Sequence, residues 1–186
     1  VTLLLIRRSR MMERWSHIII GFGLLFIGLN VMSSAIVPLR DSQMARDFMV
    51  SIAGNPLLGI ITGTIFTMLI QSSSASVGIV IVLASNGMIP FEGAMYLIFG
   101  DNIGTTITAW LAGIGSNSTA RRVALVHTLF NLFGTIIFGL LTYLGIYTMI
   151  INRITPGNVY LGENLARHIA NAHTFFNVFN TIIFLP

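Results

Sequence analysis

From Phe48 to Phe91 the chain carries no Asp, Glu, Lys or Arg. An uncharged apolar run of that length is a membrane signal. It is interrupted by Gln71-Ser72-Ser73-Ser74-Ala75-Ser76, five polar side chains in six positions. In hydrocarbon such a cluster is tolerated only where protein or water satisfies it. The stretch therefore reads as the tip of a re-entrant hairpin with apolar arms over roughly 57–70 and 77–88. At 1.5 Å per residue a helical arm reaches only about 18–21 Å, short of a hydrocarbon core of about 30 Å.

A single bent span over 57–89 is the alternative, and charge parity separates the two. Arg7, Arg8, Arg10 and Arg14 lie within eight residues, offset only by Glu13, and mark a cytoplasmic segment. A hairpin that enters and leaves on one face returns Arg121 and Arg122 to that same side. It also leaves the charge-balanced stretches 39–55 and 152–166 outside. A single crossing would place Arg121 and Arg122 outside, so charge bias favours the hairpin.

The rest of the chain reads as an all-α, polytopic membrane protein. Charged residues make up 9% of it, against about 25% in soluble domains. Its net charge of +4 is too thinly spread to suggest nucleic acid. With no Cys there are no disulfides or thiolate metal sites. Residues 17–38 read as a first span with small residues for close packing and Asn30 as interhelical glue. Residues 39–55 read as an external loop closed by Asn55-Pro56. A broken span follows over 93–115, unwound at Gly100-Asp101-Asn102-Ile103-Gly104-Thr105-Thr106. Spans over 121–150 and 167–186 complete the chain. Val1–Ile6 and Ile182–Pro186 look like cut transmembrane helices, so the chain reads as a fragment.

The last two spans contain an internal repeat. At an offset of 46, 11 of the 18 positions from Arg121 to Phe138 are identical to those from Arg167 to Phe184. Each copy carries His-Thr-x-Phe-Asn, at His127–Asn131 and His173–Asn177, with His and Asn on one helix face. These read first as packing and hydrogen-bonding faces on equivalent helices. A metal centre is not expected, because each copy has one His and no carboxylate recurs with it.

Gln71-Ser72-Ser73-Ser74 in an apolar hairpin, followed by Gly100-Asp101-Asn102-Ile103-Gly104-Thr105-Thr106, resembles the type II sodium/phosphate cotransporter family. In that family two inverted repeats each carry a Gln-Ser-Ser-Ser hairpin and a Gly-Ala-Asn-Ile-Gly-Thr type motif. One copy of each is present here, so the resemblance implies one repeat, from the C-terminal half of a bacterial member. The implied function is Na⁺-coupled phosphate symport across the inner membrane, completed by the missing repeat, with no cofactor and no catalysis.

Local chemistry gives the same reading. A broken hairpin exposes N–H donors at the start of its second arm, an anion site assisted by the helix dipole. Gln71, Ser72, Ser73 and Ser74, with Asn102, Thr105 and Thr106 from the facing span, are the expected phosphate-binding residues. Gln71, Ser74, Asp101, Asn102 and Thr105 are the expected Na⁺ ligands, hard oxygens for a hard cation. An ionised Asp101 beside phosphate would repel it, which puts Asp101 on the cation side. A protonatable coupling group and the partner of an Arg at a helix end are the other roles open to Asp101. The competing function is a membrane interaction or phosphate-sensing protein on the same scaffold.

Overall fold

The computed structural model describes residues 10–185. The expectations for Val1–Ile6, Arg7, Arg8 and the end of the chain at Pro186 lie outside those residues. Every regular element among the described residues is helical. In order they are α1 (Arg10–Ile36), a 3₁₀ turn (Val37–Asp41), α2 (Gln43–Gly54), α3 (Pro56–Ile70), α4 (Ser73–Ser85), α5 (Phe91–Gly104), α6 (Ile107–Gly113), α7 (Ser118–Tyr143), α8 (Ile146–Ile154), a 3₁₀ turn (Val159–Leu161) and α9 (Leu165–Phe184).

Among the described residues two helices are long and apolar enough to cross a membrane, α1 with the turn after it and α7. The number rises to three if α2 and α3, bent by 115° at their junction, count as one span. The outer faces are apolar. Phe22, Leu25 and Phe26 of α1 and Val126, Phe133 and Ile136 of α7 are all exposed. A surface of that kind suits lipid contact and not water.

The hairpin breaks where the polar cluster begins. α3 ends at Ile70, Gln71 adopts a left-handed conformation (φ 56°), and Ser72 caps the start of α4 by accepting from Ala75 N at 3.4 Å. The arms then fold together. Thr67 and Ser76 are nine residues apart, yet their hydroxyls are 3.0 Å apart. Nine residues of unbroken helix would separate them by about 13.5 Å. The observed arms hold 15 and 13 residues, and the second starts earlier than 77 because Ser73 to Ser76 are already helical.

α5 is the centre of the molecule, with 12 of its 14 residues buried. It touches α3 backbone to backbone. Gly59 and Gly63 on α3 meet α5, and Gly100 and Gly104 on α5 meet α3. A Cβ at Gly63 would run into the Leu97 carbonyl, and one at Gly100 into the Ile60 carbonyl. Small residues four apart let membrane helices approach this closely. Thr64 Oγ1 adds a hydrogen bond to the Gly100 carbonyl at 3.1 Å.

An aromatic cluster binds α5 to the C-terminal helices. Phe99 stands 5.3 Å from Phe176 and 6.0 Å from Tyr147, and Phe138 stands 5.2 Å from both Tyr147 and Phe176. Tilted and edge-on rings at these distances are the favoured aromatic geometries. The buried Tyr147 hydroxyl donates to the Ala172 carbonyl at 2.6 Å.

Three expected boundaries change. Residues 39–55 are not a loop: Ser42 caps α2, and Gln43, Arg46 and Asp47 link side chains along its outer face, while Ile52 is buried. The 121–150 stretch is two elements, because α7 stops at Tyr143 and Gly145 turns left-handed (φ 73°), bringing Tyr147 back onto Phe138. The 93–115 stretch stays helical through Gly100–Gly104, where it packs on α3. Its break is confined to Thr105 and Thr106, where the hydrogen bonding shortens to Thr106 N–Ile103 O at 3.1 Å.

Candidate functional site

A cavity of about 360 Å³ lies where the hairpin tip, the end of α5, α7 and α9 meet. It is lined by Ser73, Asn102, Thr105, His127, Phe130, Asn131, His173 and Asn177. Ser73 is the first residue of α4, so its side chain enters the cavity beside a helix start whose first N–H groups are free of intrahelical partners. Asn102 sits on the last turn of α5 and Thr105 at the break that follows it.

Three of the sequence-predicted residues thus come together: Ser73, Asn102 and Thr105. The others do not join them. Gln71 and Ser74 are exposed on the outer side of the tip, and Ser72 lies 3.4 Å from Ser74 through their hydroxyls. The tip is therefore open on one side in this chain, since Gln71 and Ser74 are exposed while α4 beyond it is buried at Ser76, Val80 and Val82 to Ala84. Thr106 is buried and returns its hydroxyl to the Ile103 carbonyl at 2.7 Å. That is the local back-bonding to which Thr is prone.

Asp101 faces another way. It lines a second, largely apolar cavity of about 200 Å³ between α2, α3, α4 and α5, walled by groups such as Ile52, Phe66, Val80 and Leu83. Asp101 is 1% exposed. Thr67 donates to Asp101 Oδ1 at 2.7 Å and stands 3.0 Å from Ser76 Oγ, while Asp101 Oδ2 has no partner. The triad fastens both arms of the hairpin to α5, with Thr67 four residues before Gln71 and Ser76 four residues after Ser72.

The largest omission of sequence reasoning is the opposite wall of the cavity. His127 and Asn131 on α7 and His173 and Asn177 on α9 face the same space. The signal was present in the 46-residue repeat, which places His and Asn four apart on one face of each helix. It does not say that the two faces converge. Convergence comes from the α7–α9 contact, where a Cβ at Gly134 would run into the Asn180 side chain, its equivalent in the repeat. Asn180 Nδ2 donates to the Phe130 carbonyl at 3.1 Å. Among the described residues no group of three or more His, Cys, Asp or Glu is placed to hold a metal ion.

Comparison with known proteins bears on this arrangement. Residues 39–154 match the family model described as "Na+/Pi-cotransporter". The chain is 34% identical over 118 residues to the "Putative inorganic phosphate export protein YjbB" of Escherichia coli, covering 63% of this chain and 22% of that protein. It is 38% identical over 123 residues to the human "Sodium-dependent phosphate transport protein 2B", covering 61% of this chain and 18% of that protein. The rat "Sodium-dependent phosphate transport protein 2A" is 35% identical over 123 residues, with 61% and 19% covered. The chain thus spans about a fifth of the length of these relatives. No solved structure matches it. The matched segment contains the hairpin, α5 and α7, and it covers more than half of the sequence: the chain belongs to the Na+/Pi-cotransporter family.

Proposed function

We propose that this chain supplies one repeat of a Na⁺-coupled carrier of inorganic phosphate in the inner membrane. One observation carries the reading: a hairpin tip and a helix break, each polar inside an apolar stretch, share one cavity at Ser73, Asn102 and Thr105. Discontinuous helices that meet at a polar cavity are the general layout of secondary transporters. Free N–H groups at the start of α4, with the Ser73 hydroxyl, suit an anion with several acceptor oxygens. Gln71, Ser72 and Ser74 lie on the open side of the tip, where a second repeat would complete the site.

On this reading the Na⁺ ligands begin with Asn102 and Thr105 in the cavity, with Gln71 and Ser74 at the tip. Asp101 acts one layer behind, through Thr67 and Ser76, by holding the hairpin in place. A coupled carrier runs in either direction, so net import or export follows the gradients. The test is uptake of radiolabelled phosphate into proteoliposomes with and without an inward Na⁺ gradient. Accumulation that requires the gradient is expected. Uptake indifferent to Na⁺ overturns the coupling, and phosphate binding without uptake supports the sensing alternative instead.

A further inference from the structure

A cavity of about 450 Å³ lies at the foot of the hairpin, lined by Arg40, Arg46, Val50, Asn86, Gly87 and Met88. Arg40 Nη2 donates to the Asn86 carbonyl at 2.5 Å and to Asn86 Oδ1 at 2.8 Å. Arg46 donates to the Arg40 carbonyl and, at 2.8 Å, to Gln43 Oε1. All of these acceptors are neutral. Asp47 accepts from Gln43 Nε2 at 2.7 Å instead, and among the described residues neither it nor Asp41 pairs with a guanidinium group. Two exposed guanidinium groups are thus fixed by neutral oxygens beside one cavity, with N–H donors left over. Planar donors of this kind match the oxygens of a phosphate group.

The apolar cavity of about 200 Å³ between α2, α3, α4 and α5 shares walls with this basic one. Leu39 lines the apolar cavity and its neighbour Arg40 the basic one. Met49 and Leu83 line the apolar cavity, and Arg46 and Asn86, each three positions away along α2 and at the end of α4, line the basic one. Leu39 and Phe48 are 43% and 44% exposed, so the apolar cavity opens outward beside the arginines. At its inner end Ser76 and Asp101 are linked through Thr67, and all three are 1% exposed, so its open surface is largely apolar. A dry apolar cavity of about 150 Å³ holds a molecule of benzene's size, so this one takes a short stretch of hydrocarbon and not a whole chain. The 115° bend between α2 and α3 lays α2 across the direction of the hairpin, as in a helix that rests at a membrane surface. Met44 and Val50 on α2 are 82% and 70% exposed, which suits contact with lipid there.

We infer that the foot of the hairpin binds an anionic phospholipid, with its phosphate on Arg40 and Arg46 and part of one acyl chain between α2, α3 and α4. A free phosphate ion fits less well, because it has no use for the apolar cavity beside the arginines. A zwitterionic lipid also fits less well, because its own cation offsets the phosphate charge. The lipid fastens the turn at Val37–Asp41 and α2 to the foot of the hairpin, at the end opposite the polar tip. This site lies outside the cavity at Ser73, Asn102 and Thr105, and it holds whether or not the chain carries phosphate.

The test is equilibrium binding of radiolabelled dioleoyl phosphatidylglycerol to the purified, complete protein in detergent, with dioleoyl phosphatidylcholine for comparison. The wild type should bind phosphatidylglycerol about 10- to 30-fold more tightly than phosphatidylcholine, as expected of two basic residues beside a lipid phosphate. Glycerophosphoglycerol, which is the headgroup without its chains, and inorganic phosphate should displace the labelled lipid only at concentrations about 10-fold higher or more. Arg40→Gln with Arg46→Gln should bring phosphatidylglycerol down to the level of phosphatidylcholine and leave phosphatidylcholine unchanged. Arg40→Lys with Arg46→Lys keeps the charges and should stay within about 5-fold of the wild type. Equal wild-type affinities for the two lipids refute the site. Ready displacement by inorganic phosphate refutes it too, in favour of a site for free ions. If the Gln pair weakens both lipids alike, or the Lys pair loses as much as the Gln pair, the arginines are struts of the fold and the inference fails. Should a variant not fold, the wild-type comparisons decide by themselves.

Discussion

Replacing Thr67 with Val tests the strap that holds the hairpin on α5. Thr67 is 1% exposed, and Val keeps its shape while exchanging the hydroxyl for a methyl group. The change deletes the 2.7 Å hydrogen bond to Asp101 Oδ1 and the 3.0 Å contact with Ser76 Oγ. A hydrogen bond to a charged group contributes about 1.5–3 kcal/mol and a neutral one about 0.5–1.5 kcal/mol. The added methyl takes the place of Oγ1, against Asp101 Oδ1 and Ser76 Oγ, and returns at most about 0.8 kcal/mol. The net loss of stability is therefore about 1–4 kcal/mol. Asp101 Oδ2 lacks a partner among the described residues, and the Ser76 hydroxyl, freed by the change, lies within reach of the carboxylate and offsets part of the loss. Unfolding in mixed detergent micelles, read for the wild type, Thr67→Val, Asp101→Asn and the double variant, gives both the loss and its cause. The coupling energy between the two positions should be about 1 kcal/mol or more. Equal losses from Thr67→Val in the presence and absence of the carboxylate would show that the hydroxyl does not act on Asp101, and the strap would be refuted.

Two further outcomes follow from the geometry. Gly100→Ala puts a Cβ against the Ile60 carbonyl and 2.7 Å from Thr64 N, so α3 and α5 must part along their whole contact. Overpacking of this kind costs about 1–3 kcal/mol, and thermal unfolding should show it, whereas Gly21→Ala, which meets nothing within 4 Å, should leave the midpoint in place. Ser73→Ala removes a hydroxyl that faces the cavity and should weaken phosphate affinity by about 1–3 kcal/mol, about 5- to 150-fold, in transport titrations of the complete protein. An unchanged half-saturation in a well-inserted Ser73→Ala protein would make the hairpin a structural plug.

Much of this was legible in the sequence because the signals were local. The polar run in an uncharged stretch located the hairpin, since a continuous helix there would leave Gln71 and its neighbours in hydrocarbon. Pro56 after Asn55 marked the start of α3, and Asn55 does cap it, accepting from Leu58 N at 3.1 Å. The same kind of signal was present for α2, with Ser42 as cap and Met44, Phe48 and Ile52 four apart. The Arg and Asp residues of 39–55 mask it, because balanced charge in a short stretch looks the same in a loop as on the exposed face of a helix. The glycines of 100–104 suggest an unwound segment. They serve contact instead, and a glycine in a helix packed on another backbone looks the same in sequence as one in an unwound segment. Asp101 was the residue whose surroundings could not be read. One position separates it from Asn102, yet a helix turns about 100° per residue, and that rotation puts the two side chains into different cavities. The cavity's second wall was equally hidden, because the meeting of two distant helices is set by packing and not by local pattern.

The central claim is that the hairpin tip faces the substrate across the cavity bounded by Asn102, Thr105, Asn131 and Asn177. The chain contributes no cysteine, so Ser73→Cys gives it a single thiol at that point. The measurement is the rate at which a small, charged methanethiosulfonate reagent labels this thiol in proteoliposomes, with phosphate titrated in the presence and absence of Na⁺. The account predicts that phosphate slows labelling in a saturable way, and that Na⁺ lowers the phosphate concentration needed. A labelling rate that stays constant through saturating phosphate and Na⁺, in a variant that still takes up phosphate, would contradict it.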